Sequence, residues 1–151
     1  MSALQRPHVL IVSDDQDLAD FLGEGLVYAG FWTSTIASAM QTLEVFRLRS
    51  FDVMLLDAAL GGIGAMELLQ RLRGQSNRAS GVERTDIPIL VVAATPDEIP
   101  PALLERNDVS RVLVAPLEME EIAREIGGVV TLWREAHPDR PWADEAALGT
   151  A

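Results

Sequence analysis

Residues 51–60 read FDVMLLDAAL. Val53 to Leu56 are apolar without a break, and the run stops on the carboxylate of Asp57 before small residues follow. A short apolar run without polar alternation is the signature of a strand covered on both faces, as in a parallel sheet. HVLIV (8–12), PILVVAA (88–94) and RVLVA (111–115) have the same character. All four are expected as fully buried strands. GFWTSTI (30–36) is more polar and is expected nearer an edge. Helical periodicity fills the intervals. Leu18, Phe21, Leu22 and Leu26 share a face in 17–29, and Met40, Leu43 and Phe46 share one in 39–48. Met66, Leu69 and Leu72 do so in 65–73, and Ile122, Ile126, Val129 and Trp133 in 118–136. Strands alternating with helices predict a flavodoxin-like (βα)5 three-layer sandwich. Its parallel five-stranded sheet is expected in the order 2-1-3-4-5.

The chain has 151 residues, enough for one domain with a real core. Residues 1–136 are expected to form that domain and 137–151 a flexible tail held at most by Trp142. Residues 95–108 leave room for only a short fourth helix, begun at Pro100 and Pro101. Net charge is −11, which opposes binding to nucleic acid or anionic membrane and suits a basic protein partner. No signal peptide or membrane span is evident and there is no cysteine, so a cytoplasmic setting is expected. All twelve basic residues are Arg. A mechanism that needs a compact ammonium group is therefore closed to this chain.

Ligands of open parallel sheets collect at the C-terminal ends of the strands. The first strand runs out into Ser13, Asp14 and Asp15, and the third into Asp57. In the expected order these strands are neighbours, so acids distant in sequence meet on one lip. Hard carboxylate oxygens suit Mg2+, and a carboxylate is also a nucleophile toward a phosphoryl group. The plainer alternative gives Asp14 or Asp17 the work of an N-cap.

HVLIVSDDQDLADFL, FDVMLLDAALGGIGAMELL, IPILVVAA and RVLVAPLEMEEI together resemble the response-regulator receiver domain of two-component signalling, over roughly 6–135. The resemblance implies Asp57 as phosphoacceptor. It implies Mg2+ held by Asp14, Asp57 and the backbone carbonyl of Ala59, with Asp15 a further ligand in place of the acid that Ser13 replaces. It implies a histidine kinase or phosphotransfer protein as donor and a cis bond before Pro116. The switch positions depart from the family pattern. Ala93 stands where a hydroxyl is expected, Ala115 where a Lys is expected, and Val112 where an aromatic is expected. Losing one donor to developing charge typically costs about 2.7–4 kcal/mol.

Two functions stay open: a stand-alone atypical receiver phosphorylated on Asp57 with output through protein contacts, and a phosphorylation-independent interaction module. Neither is an enzyme. A distant third, a nucleotide-binding enzyme, rests on GGIG (61–64), which a tight turn explains equally well. His8 and His137 are expected as surface histidines. Val130 and Trp133 could leave an exposed end on the last helix for a homodimer. Arg71, Arg73, Arg78 and Arg84 could form a basic spot around the polar loop 74–86.

Overall fold

The apolar runs become five parallel strands: β1 (His8–Val12), β2 (Trp32–Ile36), β3 (Val53–Asp57), β4 (Ile89–Ala93) and β5 (Val109–Val114). Their order is β2-β1-β3-β4-β5, as the alternation predicts. The helices are α1 (Gln16–Tyr28), α2 (Ala39–Leu48), α3 (Gly64–Leu72), α4 (Pro101–Leu104) and α5 (Met119–Ala136). This computed structural model describes residues 6–76 and 83–143. None of the described helices is long and apolar enough to cross a membrane.

Side-chain alternation divides the core into two layers. Leu10, Val12, Met54 and Leu56 point to one face and pack with Leu43, Leu68, Leu69 and Leu72 of α2 and α3. Val9, Ile11, Val53 and Leu55 point to the other, against Leu22 and Leu26 of α1 and Ile122 and Ile126 of α5. Both faces of β1, β3 and β4 are thus covered, which is why these strands read as unbroken apolar runs. Truncating a fully buried leucine such as Leu55 to Ala would cost about 2–5 kcal/mol.

Several expectations change. β5 starts two residues earlier than RVLVA and is half-buried, because it is an edge strand beside an α4 of only four residues. Phe21 and Met40 are exposed although they share a stripe with core residues. α1 and α2 flank β2, an edge strand, and the outer part of each stripe overhangs the sheet. His8 is buried: its Nε2 lies 2.8 Å from Ser34 Oγ and its ring meets the edge of Phe51. Val130 is also buried. Trp133 is covered by His137, stacked at 4.0 Å, and by the guanidinium of Arg140, while its indole N–H donates to Asp86 O. The exposed aromatic patch weighed as an alternative for the end of α5 is therefore not formed.

The chain after α5 does not trail away at 137. Residues 137–143 make a strap across the N-terminal pole of the sheet. Arg140 forms a two-pronged ion pair with Asp86 at 2.8 and 2.9 Å. Trp142 is buried beneath Arg134, whose guanidinium lies 3.6 Å from the ring centroid. Ala143 N–H donates to Asp52 Oδ1 at 2.9 Å, and His8 N–H donates to Asp52 Oδ2 at 2.7 Å. Burial pushes the Asp52 carboxyl up from its ordinary pKa, against those two N–H groups and Arg134. The tail expected over 144–151 lies outside the described residues.

Two of the four arginines weighed as a basic spot are engaged elsewhere. Arg71 pairs with Glu67 at 3.0 Å. Arg73 is buried and donates to the carbonyls of Asn107, Thr85 and Asp108, clamping α3 to the turn before β5. Desolvation pulls its pKa down. Arg78 lies outside the described residues.

Candidate functional site

Strand register builds the site. β1 pairs with β3 so that Val12 lies opposite Leu56. The next residue on each strand is therefore level with the other: Ser13 beside Asp57. Asp57 is 6 % exposed, and Ser13 Oγ donates to its Oδ2 at 2.7 Å. The other carboxylate oxygen, Oδ1, accepts from Ala59 N–H at 2.9 Å, a turn formed within the loop itself. Ser13 Oγ also accepts from Asp15 N–H at 3.1 Å. A relay thus runs from the Asp15 amide through the Ser13 hydroxyl to the Asp57 carboxylate. Each hydrogen bond polarises the next.

Asp14 is exposed and reaches the loop after β3, where its Oδ2 accepts from Gly61 N–H at 3.1 Å. Asp14 and Asp57 therefore stand on one lip, as expected. Asp15 does not join them. Its Oδ1 accepts from Leu18 N–H at 3.2 Å and caps α1, so the N-cap is Asp15 rather than Asp14 or Asp17.

Of the switch positions, Ala93 and Ala115 fall on the same lip, while Val112 lies within β5 opposite Val91. Ala93 ends β4, opposite Val114 of β5, and Ala115 N–H donates to Ala93 O at 2.9 Å. Ala93 is buried and Ala115 exposed, and neither side chain carries a polar atom. Val112 is half-buried within β5. The Ala115–Pro116 peptide is cis. In the loop after β4, Ala94 N–H donates to the Glu98 carboxylate at 2.6 Å. The loop thus receives an acid where a phosphate-binding site would place donors.

The donors expected for Mg2+ from the resemblance are Asp14, Asp57 and the Ala59 carbonyl. Among the described residues no three His, Cys, Asp or Glu side chains converge as a metal site. Ser13 contributes a neutral hydroxyl whose proton is aimed at Asp57. The set lacks one anionic oxygen for a strong divalent-cation site.

GGIG is a turn. Gly62 and Gly64 have φ of +65° and +85°, conformations that favour glycine, and the Gly61 N–H is occupied by Asp14. A phosphate cradle would need that donor free. The feature that sequence reasoning missed is the active part played by Ser13. It stood there as a lost acid, and only the β1–β3 register brings its hydroxyl against Asp57.

Comparison with known proteins agrees with this anatomy. The response regulator receiver domain family matches residues 9–126. Sensory transduction protein RegX3 of Mycolicibacterium smegmatis is 28 % identical over 140 residues, covering 93 % of this chain and 57 % of that protein. DNA-binding response regulator MtrA of Mycobacterium leprae is 26 % identical over 121 residues, covering 80 % of this chain and 50 % of that protein. The chain thus spans about half the length of the curated relatives it matches. Among solved structures, a response regulator of Chloroflexus aurantiacus superposes with TM-score 0.70 at 26 % identity, covering 84 % of this chain and 99 % of that one. A CheY-like receiver domain from Methylobacillus flagellatus, at 18 % identity, shares the fold with TM-score 0.68 over 83 % of this chain and 99 % of that one. With strand order, acid lip and family match in agreement, the chain belongs to the response regulator receiver domains of two-component signalling.

Proposed function

We propose that this receiver works as a protein-interaction module whose state does not depend on phosphorylation of Asp57, and that it is not an enzyme. The observation that carries this reading is the 2.7 Å hydrogen bond from Ser13 Oγ to Asp57 Oδ2. A second carboxylate at position 13 would repel Asp57 and attract a cation. A hydroxyl instead donates a hydrogen bond to Asp57 directly. The buried acid is then satisfied by two protein donors, Ser13 Oγ–H and Ala59 N–H, without a metal. An acyl phosphate there would carry close to two negative charges, with no Lys ammonium at 115 and no hydroxyl at 93 to meet them. A histidine kinase or phosphotransfer protein has correspondingly little to act on, and output runs through contacts with a protein partner.

The second reading, slow phosphorylation of Asp57 with Mg2+ on Asp14, Asp57 and the Ala59 carbonyl, is favoured by the place of Asp57 at the tip of the central strand. Incubation with acetyl phosphate and Mg2+, followed by intact mass, separates the two. The expected result is no phosphoryl gain above that of an Asp57→Asn control. A gain that the control abolishes would overturn the first reading in favour of the second.

A further inference from the structure

β2 is an edge strand, and among the described residues no strand pairs with its free side. Trp32 N–H donates to Pro7 O and Ser13 N–H donates to Ile36 O, so the even-numbered residues of β2 turn their backbone groups toward β1. In a parallel ladder the odd-numbered residues then direct theirs outward. The N–H and C=O groups of Thr33 and Thr35 thus form a template for one more strand. Edge strands are ordinarily guarded by charge, proline or a bulge. WTSTI (32–36) has none of these.

Its surroundings differ on the two faces. Large apolar side chains exposed on this side are Phe21, Val27, Tyr28, Trp32, Met40 and Leu48, of which Tyr28 is 93 % exposed. On the α2 side a trough of about 730 Å3 has Met40, Val45 and Leu48 in its wall, together with Glu44, whose charge Arg47 meets at 3.4 Å. On the α1 side a smaller trough carries Asp20 and Glu24 beside Thr33 and Thr35. Among the described residues the nearby cations are already engaged: Arg47 pairs with Glu44, while Arg6 and Arg49 lie over the rings of Trp32 and Phe51.

A strand presents alternate side chains to opposite faces. We infer that the free edge of β2 takes up an extended segment of a partner protein in which basic and apolar residues alternate. The basic residues face Asp20 and Glu24, the apolar ones face Met40, Val45 and Leu48, and the backbone pairs with Thr33 and Thr35. Strand addition gives affinity through the main chain and specificity through alternate side chains. A second copy of this chain is disfavoured as occupant, because it would bring Asp20 and Glu24 of both copies together on a protein of net charge −11. The inference rests on the reading that the chain acts through protein contacts. It does not depend on the state of Asp57, which the acetyl phosphate assay reads separately.

The test uses the full chain and a fluorescein-labelled peptide of alternating Arg and Val, with an alternating Glu and Val peptide as control. Anisotropy should show saturable binding of the first and none of the second. Hydrogen exchange should show new protection of the Thr33 and Thr35 amides in the complex. Thr35→Pro removes an outward donor and leaves the β1 ladder intact. It should weaken binding about tenfold, the size expected for one or two lost hydrogen bonds. Asp20→Lys with Glu24→Lys, remote from the core, should weaken it at least as much, so a Thr35→Pro chain that fails to fold leaves the idea testable. Failure of the basic peptide to bind, equal binding of the acidic one, insensitivity to both variants, or dimerisation of the chain that the basic peptide does not disrupt would each overturn it.

Discussion

Replacing Ser13 by Ala removes the donor to Asp57 Oδ2 and the acceptor of the Asp15 amide at a position only 4 % exposed. A hydrogen bond to a charged group contributes roughly 1.5–3 kcal/mol, and Asp57 would keep one protein donor, Ala59 N–H. The loss should therefore lie in that range. For a chain of this size it corresponds to a fall in Tm of about 3–12 °C. The informative quantity is the coupling, because Ser13→Ala also changes packing. Urea unfolding of the wild type, Ser13→Ala, Asp57→Asn and the double variant closes the cycle. Ser13→Ala should cost roughly 1 kcal/mol or more in the wild type beyond its cost in the Asp57→Asn background, since a neutral amide draws less from a hydroxyl than a carboxylate does. A coupling below about 0.5 kcal/mol, within the additivity of independent sites, would refute the claim that the hydroxyl is what satisfies Asp57.

Ser13→Asp should restore the acid pair and make stability depend on Mg2+. For a Kd on the order of 1 mM, 10 mM Mg2+ would add roughly 1.4 kcal/mol in thermal melts, while the wild type should barely respond. Arg73→Met should cost about 2–4 kcal/mol in urea unfolding, because three carbonyls lose a charged donor in a buried position. Asp86→Asn should cost about 0.5–1 kcal/mol at pH 7, the scale of an exposed pair. The Arg140 guanidinium holds the Asp86 carboxyl below its ordinary pKa, so this stability is complete above the usual carboxylate range and is lost as pH falls through the lowered folded value. The difference between the two proteins should vanish in acid. Asp52→Ala should free the strap and shift Trp142 emission to the red, with the melt retaining a single transition.

The fold was legible because burial on both faces leaves no polar residue to break a strand, and β1, β3 and β4 are buried throughout. The lip was legible for a related reason: Asp57 and Asp14 are the charges that interrupt such runs. Helix faces were less legible. Periodicity says which residues share a stripe, but not that the sheet ends at β2 and leaves Phe21 and Met40 overhanging. His8 reads as polar and terminal, yet Ser34 and Phe51, far along the chain, give it a buried place. Ser13 is the sharpest case. Its residue type signals the absence of a metal ligand, whereas its hydrogen bond depends on which residue of β3 stands beside it.

Asp52 binds the backbone at His8 and at Ala143 through its two oxygens. The chain entering β1 and the chain leaving α5 are thereby pinched together by one side chain, at the pole of the sandwich remote from Asp57. A peptide linker of a few residues joining them, with new termini opened within the polar sequence 74–86, should yield a circular permutant that folds. It also means that cargo attached after Ala143 would hang from the pole where the chain comes in, leaving the Asp57 rim unobstructed.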